Sequence, residues 1–207
     1  MNYYKLDRLQ GLSNRIALHV AELGKLEEEM LKGTLTGAFK KAFNSITKLF
    51  KKQRKISRDV EPLKDKRIDA LIREKWLDGN NFSDNTWRNK AKLQNYLDSK
   101  LITDMATGKT YDEVSKGLSK AMNVSFNDAK RLIHTEMAHI QNSAHFEGIK
   151  QAGFTGFKIV ATLDGKTSEI CKNKNGKTEY IQDYQVGVTA PPLHPYCRST
   201  IFGVDKD

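Results

Sequence analysis

Apolar positions recur every three or four residues over most of the first 150 positions, then alternate strictly near 157–163. The first spacing is that of helices with one buried face, and the second that of a half-buried strand. A helix is predicted over 3–32, with Leu9, Leu12, Ile16 and Leu23 on one side and Glu27 to Glu29 near its end. Gly33-Thr34 and Gly37 are expected to interrupt it. A second helix follows over 38–50, where Phe39, Phe43, Ile46 and Phe50 form an apolar stripe between lysines. Its expected fate is packing on the rest of the chain, although a stripe beside a basic face also suits a partner helix, a membrane surface or a nucleic-acid groove. Pro62 breaks the pattern, and an amphipathic stretch runs from about Leu63 to Leu77. Gly79-Asn80-Asn81 is the clearest turn cluster of the first half, and a domain boundary is placed there. That gives an N-terminal helical region over 1–78 and a second domain over 79–207, expected to fold without the first.

Beyond the turn, Ser83 is suited to cap a helix carrying Leu93, Tyr96, Leu97 and Leu101 on one face. Thr110 and Glu113 have capping-box spacing and open a short helix with Val114, Leu118 and Met122 on one side. Ser125 and Asp128 mark the start of another, running to about Gln151 and stopped by Gly153. Phe157, Ile159, Ala161 and Leu163 then alternate with polar or outward positions as a strand ending at Asp164-Gly165. Asn175-Gly176 is a hairpin signal with a return strand over Thr178 to Ile181. Pro191, Pro192 and Pro195 make the following segment a rigid extended loop. The fold class is α+β: a mainly helical N-terminal two-thirds with a small β-containing C-terminal unit.

Composition narrows the class. Apolar residues are 38% of the 207 and charged residues 29%, with no apolar run of membrane-spanning length. Two cysteines exclude a disulfide-stapled scaffold. The N-terminus carries Asp7 and no apolar h-region, so no secretory signal is expected and the expected compartment is a cytoplasm. The formal net charge is +10, and it is concentrated: 1–38 is neutral, 39–75 carries +8 and 76–207 only +2. Such a block attracts polyanions by releasing their counterions, or else forms a solvated helix face. Lys40, Lys41, Lys48, Lys51, Lys52, Arg54, Lys55 and Arg58 are the candidate contacts for double-stranded DNA.

Two groups of residues suggest chemistry. At about 100° per residue, Glu136 shares a helix face with Ala129, Ile133, Ile140 and Ala144, while His134 lies opposite. A carboxylate on an apolar face needs a cation, backbone donors or a metal. The preferred reading is a structural clamp on the C-terminal loops, with Arg198 a charge of suitable sign and reach. The second group is Asp164, Cys171, His194 and Cys197. Cys171, His194 and Cys197 are ligand types that zinc accepts, with Asp164 or Glu136 as a fourth. Two reduced buried cysteines, a disulfide or a thiol hydrolase are the other readings. No cofactor is expected apart from such a structural zinc. Gly-Lys-Thr at 108–110 lacks the upstream glycine of a phosphate loop. His19, His139 and His145 are expected to be isolated surface or partly packed residues. An enzyme alternative, a metal-dependent nuclease or hydrolase acting on nucleic acid, would use Glu136, Asp164 and His194 around an ion.

Four ordered motifs carry a resemblance: G-N-N-F-S-D-N-T-W at 79–87, R-L-I-H-T-E at 131–136, A-T-L-D-G-K-T at 161–167 followed by Cys171, and P-P-L-H-P-Y-C-R-S-T at 191–200. Over about 79–205 the chain resembles the phage Mu F-like head morphogenesis family, the minor head proteins of tailed phages. It departs from the family's pattern at His134, where arginine is usual, and at Ser199, where many members have a further cysteine. The resemblance implies a non-enzymatic virion component inside the head near the portal, present in the host cytoplasm during assembly. It implies roles in head morphogenesis and genome delivery, with portal protein and double-stranded DNA as partners and scaffolding or major capsid protein as further candidates. A membrane partner is not expected. Glu136, Asp164, Thr167, Cys171, His194, Cys197 and Arg198 are the motif positions it carries over.

Overall fold

The computed structural model describes residues 3–54, 60–76 and 78–206. In chain order the elements are α1 (Tyr3–Arg54), α2 (Asp65–Ile72), α3 (Phe82–Tyr96), a π-helical turn (Leu97–Leu101), α4 (Ile102–Ala106), α5 (Tyr111–Gln151), β1 (Gly156–Val160), α6 (Glu169–Lys174), β2 (Thr178–Tyr180), a 3-10 turn (Ile181–Asp183) and β3 (Thr200–Val204). The architecture is the expected mainly helical α+β, with one small antiparallel sheet near the C-terminus.

Two expected helix breaks are absent. α1 runs straight through Gly33-Thr34 and Gly37. A glycine inside a helix costs roughly 0.5–1 kcal/mol relative to alanine, whereas burying one large apolar side chain contributes about 1.5–3 kcal/mol. Leu31, Leu35, Phe39, Phe43, Ile46 and Phe50 are all buried along one face, so packing overrides the two glycines. α5 likewise continues through Ser125 and Asp128 as a single helix. Its start is as expected: Thr110 N–H donates to Glu113 Oε2 (2.9 Å) and Glu113 N–H to Thr110 Oγ1 (3.3 Å). Ser83 lies inside α3 rather than capping it.

The chain forms two compact units, Met1–Met30 with Ser83–Leu132 and Leu31–Phe82 with Ile133–Asp207. They do not follow a linear division at Gly79, because α1 and α5 each supply residues to both. In the first unit Val20, Leu93, Leu97 and Ala121 are the buried apolar set, with Ile16 and Tyr96 against them. Gly24 lets α3 come close, since a Cβ there would stand 2.8 Å from the Trp87 ring. The acidic run of α1 holds the same helix. Glu28 accepts from Ser83 Oγ (2.6 Å) and Trp87 Nε1 (2.9 Å), and Glu27 pairs with the buried Lys90. Leu118 and Met122, expected to face inward, are exposed instead.

In the second unit the sheet order is β2-β1-β3, both pairings antiparallel. Phe157 and Ile159 of β1 and Ile201 of β3 pack with Ile46, Phe50, Ile149, Ala152 and Ala190. Gly148 permits the close approach of α5 to α1 here; a Cβ would lie 2.6 Å from Ile46. Ile46 and Phe50, both from the first 78 residues, are part of this core, so the C-terminal unit expected over 79–207 shares its apolar packing with α1. Two elements had no forecast. α6 stands between β1 and its predicted return strand, so Asn175-Gly176 follows a helix rather than closing a tight hairpin. β3 supplies the second neighbour of β1, with Ile159 opposite Ile201.

Candidate functional site

Three potential metal ligands meet where α6 faces the Pro-rich loop. Ser168 caps α6, its Oγ accepting from Cys171 N–H (3.3 Å), and this fixes Cys171 in the first turn. The loop brings His194 and Cys197, with Cys197 N–H donating to His194 O (3.1 Å). The two sulfurs are 3.6 Å apart as free thiols, and Cys171 Sγ is 3.1 Å from His194 Nε2. All three ligand atoms lie within 4.8 Å of one another. Among the described residues they are the one such group of three or more His, Cys, Asp or Glu side chains.

The histidine tautomer follows from its neighbour. His194 Nδ1 is 2.7 Å from Pro195 O, and a carbonyl can only accept, so Nδ1 carries the proton. Nε2 is left with a lone pair directed at Cys171 Sγ and at Ser168 Oγ, 2.8 Å away. Burial pushes the Cys171 thiol up, but the polar groups around it, Ser168 first and then its neighbours His194 and Cys197, bring it below its ordinary range. Burial holds the Cys197 thiol above it. Lys166, Thr167, Tyr196 and Arg198 border the small opening over the site.

Asp164 is not a ligand here. Arg198 grips it with both guanidinium ends, Nη1 to Oδ2 (2.6 Å) and Nη2 to Oδ1 (2.5 Å). Lys166 N–H adds a bond to Oδ1 (2.8 Å), and the Arg198 side chain is the largest reason the carboxyl titrates well below its usual range. Thr167 Oγ1 completes the turn, donating to Thr162 O (2.6 Å) and accepting from Asp164 N–H (2.8 Å). Asp164, Thr167 and Arg198 thus form a bracket joining two loops.

The expected Glu136–Arg198 clamp is overturned, since Arg198 is committed to Asp164. Glu136 is 2% exposed and accepts from Trp76 Nε1 (3.2 Å). Burial raises its pKa to about 7, opposed by the Trp76 bond. His134 is exposed, as its face requires, and tilts against Tyr196. α5 does hold the C-terminal segment, but through other residues. Thr135 Oγ1 accepts from Tyr196 N–H (3.3 Å), Asn142 Nδ2 donates to Ser199 O (3.2 Å), and His145 Nδ1 meets Thr200 Oγ1 (3.0 Å). His139 is fully buried rather than at the surface or partly packed as expected. It is 1% exposed, stacked on Trp76 at 4.5 Å, and burial lowers its pKa to about 3. Glu136, Asp164 and His194 form no common ligand group among the described residues, so the nuclease constellation is not assembled.

A family model described as Phage Mu protein F like protein matches residues 95–202. The chain belongs to that family. This makes it a phage head-related protein of a structural, morphogenetic family. No curated protein and no solved structure matches it. In this Mu F-like chain the matched span takes in Glu136, the Asp164–Arg198 bracket and the Cys171–His194–Cys197 group, and leaves out the basic segment.

The basic candidates lie on the C-terminal half of α1. Lys41, Lys48 and Lys52 are exposed and fall on one stripe at about 100° per residue, opposite the buried Phe39–Phe50 face. Lys40 and Lys51 flank that stripe, and Lys40 pairs with Asp65 (2.7 Å). Lys55, Arg58 and the side chain of Arg54 lie outside the described residues. Ser168, Ser199 and Trp76 were not forecast from the sequence. Ser168 had a usable signal, a serine three residues before Cys171 with Glu169 in the next position. No helix among the described residues is long and apolar enough to cross a membrane.

Proposed function

We propose that this Mu F-like protein is a minor head protein of the portal vertex. It acts in head morphogenesis and genome delivery, lies inside the head, and touches double-stranded DNA without sequence preference through the basic stretch of α1. The observation that carries the DNA contact is the stripe of Lys41, Lys48 and Lys52. It spans roughly 16 Å at the rise of a helix, and the opposite face is anchored in the core. Backbone phosphates, not base edges, are what such lysines meet. The exposed Leu118, Met122 and Phe126 supply apolar surface for a protein partner, the portal first and scaffolding or major capsid protein after it.

Replacing Lys41, Lys48 and Lys52 by alanine should weaken duplex binding equally for unrelated sequences. If each lysine neutralises one phosphate, the slope of log K against log salt should flatten by about 2.7. An unchanged slope would remove α1 from the interface. Co-purification of the intact protein with portal and procapsid tests the location, and its absence from procapsids would reject it.

A further inference from the structure

We propose that Cys171, His194 and Cys197 bind one zinc ion, with a fourth coordination position facing Ser168, Ser199 and solvent. Tetrahedral bonds of about 2.3 Å to sulfur and about 2.0–2.1 Å to nitrogen put two sulfurs about 3.8 Å apart and sulfur and nitrogen about 3.6 Å apart. The observed sulfur separation of 3.6 Å already matches, and the 3.1 Å from Cys171 Sγ to His194 Nε2 opens by a small rotation of the imidazole.

The surroundings favour an ion over two inert thiols. The Nδ1 proton of His194 is committed to the Pro195 carbonyl, which leaves Nε2 free to ligate; this is the support that metal-bound histidines usually have. Two thiolates and one neutral imidazole balance the double positive charge, so the buried site is left without net charge. The Ser199 hydroxyl is buried without a hydrogen-bond partner and lines the same small opening as Cys171 and His194. Asp164 and Glu136 are both engaged elsewhere, so neither supplies the fourth ligand. The ion would tie α6 to the Pro-rich loop, a junction that carries little other apolar packing: Ala161, Leu193 and the two cysteines themselves.

The test uses the full chain, reduced and stripped with a chelator, then titrated with zinc against a chromophoric competitor and separately with cobalt. The expected result is one zinc per chain and the intense visible absorption of tetrahedral cobalt bound to thiolate. Cys171→Ser and Cys197→Ser should each weaken binding by more than the roughly 100-fold that loss of an outer-sphere partner brings. Ser199→Cys adds a sulfur at the fourth position without enlarging the side chain much, and should tighten zinc at least tenfold. Because it removes no ligand, it keeps the test informative if the serine variants fail to fold. Substoichiometric zinc, the weak spectrum of octahedral cobalt, or unchanged affinity in Ser199→Cys would overturn the proposal.

Discussion

The unit built from 31–82 and 133–207 buries Phe50, Phe157, Ile149, Ile159 and Ile201 together under a three-stranded sheet, whereas the cluster in the unit built from 1–30 and 83–132 is, among the described residues, the smaller set Val20, Leu93, Leu97 and Ala121. The contrast can be followed along α5 alone. At about 100° per residue Leu118, Met122 and Phe126 occupy the same angular sector as Glu136, Ile140 and Ala144. The first three are 40%, 48% and 66% exposed, and the last three are buried. One helical stripe therefore has two fates, and what separates them is the presence of something to pack on. In the smaller unit Glu27 and Glu28 add polar contacts to α3, while Leu118, Met122 and Phe126 remain exposed.

The contrast is easiest to break in the sheet-bearing unit. Phe50→Ala should cost about 3–5 kcal/mol, the usual loss for an aromatic side chain removed from a packed core. Chemical denaturation followed by circular dichroism would measure it. A chain starting at Gly79 loses both Ile46 and Phe50 and should unfold without a cooperative transition. Cooperative melting of that fragment would mean that α1 is dispensable to the core.

A medium effect is expected at Glu136. Its folded pKa of about 7 lies above the 4.5 of the free side chain, so folding favours the protonated form. That stabilisation is complete below pH 4.5 and is lost as pH rises through 7. Glu136→Gln cannot titrate. Relative to the parent it should gain up to about 3 kcal/mol between pH 4.5 and 7, then hold a constant difference above that. Taking the difference between the two proteins cancels the opposite contribution of His139, whose depressed pKa removes stability as pH falls from 6.5 toward 3. A pH-independent difference would show that the carboxyl is not desolvated.

The smallest effect belongs to the exposed end of the stripe. Met122→Ser with Phe126→Ser should leave stability within about 0.5 kcal/mol, while weakening co-sedimentation with portal. A loss of several kcal/mol instead would show that these side chains are buried in solution and that the contrast between the units is false.

Much of this was legible in the residues. The period of 3.6 over the first 150 positions and of two at Phe157–Ile159 fixed the element types, because each follows from local geometry that no distant contact alters. The capping box at Thr110–Glu113 and the placement of Glu136 and His134 on opposite faces are local in the same sense. The four motifs carried the family. What the sequence could not show depended on pairing across long separations. Nothing local says that Gly33 and Gly37 will be overruled by the Phe39–Phe50 stripe, or that Thr200–Val204 pairs with β1. Arg198 had two carboxylates of suitable charge to choose between, and only the positions of the two loops selected Asp164 over Glu136. The same holds for Cys171, His194 and Cys197: their residue types named them as ligands, but their convergence was decided by α6, the Pro-rich loop and the core beneath them. Periodicity reports which face of an element is apolar, and the fold alone decides what that face meets.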